Sequence, residues 1–343
     1  MAGIMRKIGE LGERWVISTF IETLDLMPDM PIPFGDDVAA IPANGENLVV
    51  LKTDMLVGKT DVPPGMSLRQ AARKAVVMNV SDFAAKGIKP IAALVSLGLP
   101  ADLTEEDVKE IAFGLNDGAR EYEVYIVGGD TNEAEDLIIC FMLVGYCKRG
   151  RIVKRSGARP GDIVAVTGPF GKTSAGLKIL LEGLSAPEHI KRPLIEAVLM
   201  PRARLKEGLL LAGLGALTAS IDSSDGLAWS LHELSEASGV GFIINNIPIA
   251  PEVEEFATEH SLDPLDLSLY GGEEYELVVT IKPEMVDDAK RALENIGEHL
   301  TEIGRAIGEK RIEAVFDGKR IPIERRGWEH FKNRGNRANI NIS

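Results

Sequence analysis

Acidic side chains set among small ones recur along the chain: Gly35-Asp36-Asp37, Thr53-Asp54, Asn79-Val80-Ser81-Asp82, Gly128-Gly129-Asp130-Thr131 and Asp222-Ser223-Ser224-Asp225-Gly226. Isolated surface carboxylates do not come wrapped in Gly, Ser, Thr and Asn. Small neighbours let a backbone approach a ligand closely, and hard carboxylate oxygens are the donors that Mg2+ selects. Most of the strings fall where a predicted strand runs out. They point to one composite metal–nucleotide site assembled from distant segments, and so to a phosphate-handling enzyme.

Each string has a competing structural reading. Ser224 as a helix cap and Asp225 as a first-turn acid need no ligand. Asp222, ending an apolar strand, is not explained that way, and metal ligation is favoured for Asp222 and Asp225. Asp82 falls in an apolar helix with Asn79 one turn earlier. A salt bridge to Lys86 is the alternative, worth only ~0.3–0.5 kcal/mol if exposed, whereas an unpaired buried carboxylate is expensive. Gly128 and Gly129 permit positive φ and close approach ahead of Asp130; a hairpin turn is the competing view. One ligand is expected from Asp36 and Asp37, and another from Asp54 at the end of its strand.

Other motifs stay open on residue types alone. Gly271-Gly272-Glu273-Glu274-Tyr275-Glu276 reads evenly as a ligand loop or a solvated acidic turn. Arg155 could pair a phosphate bidentately or face water in a linker. The segment Val166–Thr173 fails as a P-loop, because the position five before Gly171 is Val166. What survives there is a turn and a helix start, either an anion seat or a tight turn only. No Ser/His/Asp or Cys/His arrangement supports covalent catalysis.

The elements that must position these residues intermix strands and helices. Helical spacing covers Gly9–Leu26, Ser67–Lys86 and a capped segment from Thr104 to Tyr122. Val38–Ile41 and Asn47–Leu51 form a hairpin, and Ile91–Leu97, Glu123–Val127 and Leu137–Tyr146 are strands. A basic, turn-rich join at Lys148–Gly161 divides the chain into residues 1–148 and 149–343. The second half restarts with strand Asp162–Thr167 and helix Thr173–Leu184. A helix over Pro201–Leu211, strand Ala219–Asp222, a helix from Ser224 to Ser238, strand Tyr275–Ile281 and helix Pro283–Ile296 follow. The class is α+β with two domains.

At 343 residues two cores are the default. A net charge of −14 without a Lys/Arg-rich run argues against nucleic acid, and makes divalent cations necessary for binding anionic nucleotides. Cys140 and Cys147 lack metal-ligand spacing and suggest a reducing compartment. Residues 1–10 lack the apolar stretch of a signal peptide, and the apolar run Gly208–Leu217 is too short to span a bilayer. A cytosolic, membrane-free protein is expected.

Taken together, the strings resemble the thiamine-monophosphate kinase family, within a superfamily that includes aminoimidazole ribonucleotide synthetase. Besides those already quoted, the resemblance rests on Lys52-Thr53-Asp54-Met55-Leu56-Val57, Arg155-Ser156-Gly157-Ala158-Arg159-Pro160-Gly161-Asp162 and Gly327-Trp328-Glu329-His330-Phe331, and spans nearly the full length. It implies a two-domain aminoimidazole ribonucleotide synthetase-like fold, each domain a mixed sheet covered by helices. It implies transfer of the γ-phosphate of ATP to thiamine monophosphate, giving thiamine diphosphate. Asp37, Thr53, Asp54, Asp82, Asp130, Asp222 and Asp225 would be Mg2+ ligands. Gly129, Arg155 and Ser224 would contact ATP, while Glu273 and Trp328 would contact the substrate. Asp61 falls where many members carry a substrate-contacting His, and Ala112, beside Phe113, where an aromatic packs near the nucleotide base. The N-terminal domain would bind metal and ATP and pair in a homodimer; the C-terminal domain would complete the nucleotide and substrate site.

The acceptor in such a reaction is a phosphate oxygen, largely deprotonated at pH 7, so no general base is required. The alternatives are a synthetase-like or hydrogenase-maturation enzyme of the same superfamily, or a non-catalytic nucleotide-binding scaffold. The hydrogenase-maturation dehydratase needs a C-terminal Cys, where this chain has Asn339 to Ser343. A scaffold would be expected to have lost acids that are all present here.

Overall fold

The structure, a computed structural model, describes residues 6–316 and 318–331. The segments bearing on a leader (residues 1–5) and on a C-terminal cysteine (residues 339–343) lie outside the described residues.

The first half opens with helices α1 (Ile8–Leu11) and α2 (Glu13–Thr23). Then come β1 (Ala39–Pro42), β2 (Asn47–Val57), the turn α3 (Gly58–Asp61), α4 (Leu68–Lys86), β3 (Pro90–Leu99), α5 (Glu105–Glu121), β4 (Tyr125–Glu133) and β5 (Ile138–Lys148). The strands form a five-stranded sheet in the order β1-β2-β5-β3-β4. Only β3 and β4 run parallel. Helix α4 lies against this sheet and is buried along most of its length. The reciprocal Ser67–Gln70 capping box opens it, and left-handed Gly87 (φ 64°) closes it. The Thr104–Asp107 capping box opens α5 as the sequence predicts.

The second half contains β6 (Ile163–Val166), α6 (Lys172–Glu182), α7 (Glu188–Leu199), α8 (Leu205–Leu214), β7 (Leu217–Asp222), α9 (Leu227–Ser238), β8 (Gly241–Ile244), α10 (Pro251–His260), α11 (Pro264–Tyr270), β9 (Leu277–Ile281), α12 (Val286–Glu294), β10 (Thr301–Ile307), β11 (Ile312–Phe316) and β12 (Lys319–Pro322). Its seven-stranded sheet has the order β12-β11-β8-β10-β6-β9-β7 and is also mixed. Helix α4 packs against α8 and β7 of this half as well as against its own sheet. It thereby becomes the spine along which the two halves meet.

Several expectations change. Strand β2 continues past Asp54 to Val57, so Thr53 and Asp54 sit in mid-strand. Strand β4 runs through Gly128-Gly129-Asp130-Thr131 rather than stopping before it, and it is not a hairpin partner of β5. Gly129 is required there for another reason than positive φ: a Cβ would lie 1.9 Å from the Val95 carbonyl oxygen of the neighbouring strand. Helix α9 starts at Leu227 with Gly226 as its N-cap, so Ser224 does not cap it and Asp225 precedes it. Helices α7, α10 and α11 and strands β8 and β10 to β12 were not legible as elements.

A candidate active site along helix α4

Three carboxylates from three segments, Asp37 ahead of β1, Asp82 in α4 and Asp222 at the end of β7, each bring one oxygen to within 4.8 Å of the others, all buried. Asn79, one turn before Asp82, accepts the backbone N–H of Asp54 at 2.9 Å and ties α4 to β2. The hydroxyl of Ser81 donates to Asp222 Oδ2 at 2.7 Å.

Carboxylates packed this closely repel unless cations compensate them. Lys52 Nζ lies 2.9 Å from Asp54 Oδ1 and 3.0 Å from Asp82 Oδ2. Lys86, fully buried, lies 2.8 Å from Asp36 Oδ1 and 2.7 Å from Asp37 Oδ2, and donates to the Ser220 carbonyl at 2.7 Å. Arg155 pairs with Asp37 and also donates to the Gly35 carbonyl and to Glu233. The expected Asp82–Lys86 pairing is thus not made: Lys52 takes Asp82, and Lys86 turns to Asp36 and Asp37. Nor does Arg155 face water.

The residual imbalance shows in the titrations. Burial opposes charge on Asp37, but Lys86 and Arg155 outweigh it and hold that carboxyl below the usual range. Burial, only partly offset by Lys52, together with Asp222, Asp54 and Asp37, pushes Asp82 well above it. Burial and Asp37 raise Asp222 to about 6. Burial, Glu13 and Asp222 raise Asp225 to about 7. Convergent hard oxygens with surplus negative charge fit a divalent cation. The Ser223 hydroxyl, buried in the adjoining turn, has no partner among the described residues.

A cleft of about 430 Å³ adjoins the acids, lined by Asp222, Ser224, Asp225, Arg155 and Trp328 and closed on one side by Glu13, Arg14, Ile17 and Ile21 of α2. Arg14 stacks over Trp229 at 4.3 Å, and the backbone N–H of His330 donates to Glu13 at 3.2 Å. Glu273 occupies the loop before β9 with φ 65°, its N–H donating to the Ser224 carbonyl at 2.6 Å. Its carboxylate accepts from Lys74 of α4, whose ammonium also donates to the Asp61 carbonyl at 2.9 Å. The Asp61 carboxylate accepts the Val57 N–H at 2.7 Å and is spent on its own turn.

The two remaining metal-ligand expectations lie apart. Side chains alternate along β2, so Thr53 points to the exposed face opposite Lys52 and Asp54. Asp130, like Gly129 beside it, lies on exposed edge strand β4, three strand steps from β2, which is about 14 Å between backbones. The anion seat at the start of α6 is filled from within: Glu274 Oε1 accepts from the N–H groups of Gly171 and Thr173 and from the Thr173 hydroxyl. Of the basic members of the site, sequence reasoning singled out Arg155 but gave Lys52 and Lys74 no role. Lys52 stood only at the head of the Thr53-Asp54 string, and Lys74 carried no motif signal.

Residues 35–147 match the N-terminal domain, and residues 159–317 the C-terminal domain, of AIR synthase related protein. Fold and site therefore define a two-domain AIR synthase-related protein, each domain a mixed sheet packed with helices. The thiamine-monophosphate kinase of Pyrococcus abyssi is 41% identical over 87% of this chain and 90% of its own length. That of Nitrosopumilus maritimus is 38% identical over 83% and 89%. The solved structure of AaThiL complexed with AMPPCP and TMP is 31% identical, covers 96% of this chain and 100% of its own, and superposes with a TM-score of 0.82. The chain belongs to the thiamine-monophosphate kinase family. The HypE–HypF complex, at 23% identity and a TM-score of 0.74, shares the fold.

Proposed function

We propose that this chain transfers the γ-phosphate of ATP to thiamine monophosphate, giving thiamine diphosphate, in the acid-lined cleft beside α4. The observation that carries this is the buried convergence of Asp37, Asp82 and Asp222, one from each of three distant segments. The kinase relatives and the structure with an ATP analogue and TMP support the same reading.

In this reading Asp37, Asp54, Asp82, Asp222 and Asp225 hold Mg2+; Thr53 and Asp130, on the open face of the first sheet, fall outside that ligand set. Mg2+ neutralises phosphate charge and orients donor and acceptor. Gly129, Arg155 and Ser224 contact ATP; Glu273 and Trp328 contact the substrate, with the Asp61 backbone held beside Glu273 by Lys74. No residue need act as a general base, because the acceptor is already an anion at pH 7.

Residues 1–148 would form the metal, ATP and dimerisation domain, and 149–343 the domain completing the site. A homodimer is supported by the apolar face of the first sheet, where Met55, Leu94, Tyr125, Val127 and Tyr146 are exposed. Free Cys140 and Cys147 support a reducing, cytosolic setting. Among the described residues no helix is long and apolar enough to cross a membrane.

The test is ATP consumption with and without thiamine monophosphate, with thiamine diphosphate resolved by chromatography. Acceptor-dependent turnover that stops on chelation of Mg2+ is expected. ATP hydrolysis indifferent to the acceptor would point to another superfamily reaction, and no turnover to a binding scaffold.

A further inference from the structure

Of the three cations among the clustered acids, two are committed to the fold. Lys86 is fully buried and also binds the Ser220 carbonyl, while Arg155 bridges Asp37, the Gly35 carbonyl and Glu233. Lys52 differs. Among the described residues its ammonium bonds no backbone carbonyl, and it lies between two carboxylates from different elements, Asp54 on β2 and Asp82 on α4. Lys52 and Asp54 share one face of β2, so the stem reaches those oxygens without strain. A lysine ammonium is a point charge on a flexible stem, better suited to giving way than the planar fork of arginine.

We propose that Lys52 is a built-in cation of the site: it holds the Asp54 and Asp82 oxygens when no metal is bound, and Mg2+ must displace it to reach them. This rests on reading Asp54 and Asp82 as Mg2+ ligands. Two consequences follow. The acids stay together without metal, and Mg2+ binds more weakly than their charge alone would allow.

Calorimetric titration of Mg2+ into the nucleotide-free, full-length protein tests this, using wild type, Lys52→Gln and Lys52→Arg. Lys52→Gln is expected to bind Mg2+ about tenfold more tightly, the order for losing one competing charged hydrogen bond. Lys52→Arg, which keeps the charge and gives way less readily, binds Mg2+ no more tightly than wild type. In EDTA Lys52→Gln melts below wild type, and the gap closes in saturating Mg2+. Unchanged or weaker Mg2+ binding by Lys52→Gln overturns the proposal, as does a melting gap equal in EDTA and Mg2+. A Lys52→Gln protein that folds only in Mg2+ bears it out, and one that fails to fold even then refutes it. Wild type that binds no Mg2+ removes the ligand assignment itself, and the proposal with it. The expected Mg2+ shifts without turnover of thiamine monophosphate would sink the kinase reading and leave Lys52 standing.

Discussion

The hydroxyl of Ser81 on α4 donates to Asp222 Oδ2 at the end of β7 at 2.7 Å, joining the two halves inside the acidic cluster. Asp222→Asn keeps an acceptor for Ser81 but removes a buried charge close to Asp37. Turnover should fall about 10²–10³-fold, as when a preorganised electrostatic group is lost. The same variant should melt higher than wild type in EDTA at pH 8. A lower melting point there would make Asp222 a structural acid.

Lys86 offers the contrasting case, because it neutralises Asp36 and Asp37 from a fully buried position. Lys86→Met leaves those carboxylates facing Arg155 alone. A loss of about 3–5 kcal/mol in urea unfolding is expected, the cost of breaking a buried pair from one side. Adding Asp36→Asn should recover part of it, and additive losses in the double variant would refute the coupling.

Lys74 links α4 to the Glu273 loop, its side chain 1% exposed. Lys74→Met should raise the KM for thiamine monophosphate about tenfold, or ~1.4 kcal/mol, and leave the KM for ATP near wild type. Equal effects on both substrates would show that the lysine only supports the fold.

Glu274 reports pH. Its carboxyl is raised from 4.5 to about 7 by burial, against the opposing hydrogen bonds from Thr173 and Gly171. The folded state therefore holds this proton more tightly than the unfolded chain. That stabilisation is complete below pH 4.5 and is lost as pH rises towards 7, at about 1.4 kcal/mol per unit. Glu274→Gln should flatten the fall in melting temperature between pH 5 and pH 7. Parallel curves for both proteins would exclude the effect.

Gly129→Ala places a Cβ 1.9 Å from the Val95 carbonyl oxygen and must part β4 from β3. Because β4 is exposed, the core should survive with a near-native melting temperature. Activity should drop as the Gly129 backbone, proposed to contact ATP, moves. Full activity would remove Gly129 from the ATP contacts.

The acidic motifs were legible because each departs from ordinary composition locally: Asp222 ending an apolar strand, Asp82 inside an apolar helix. The capping box of α5 was legible because it is closed within four residues. The C-terminal strands β10 to β12 were not, since a short strand is decided by the neighbour it pairs with rather than by its own residues. Ser224 shows the same limit, being a plausible cap by type that lies too early for the helix actually formed.

From its residues alone this chain declared many hard-oxygen donors, no catalytic base and two sheet-containing halves. Those are properties of residue type and local pattern. Tertiary structure decided which donors meet and which cations answer them. Asp37, Asp82 and Asp222 gather because α4 packs on both sheets, and Lys52 rather than Lys86 faces Asp82 because β2 lies against that side of the helix. Thr53 and Asp130 stay on the open sheet face for a matching reason. Strand alternation and strand order set direction and distance in a sheet, and neither is encoded within the few residues of a motif.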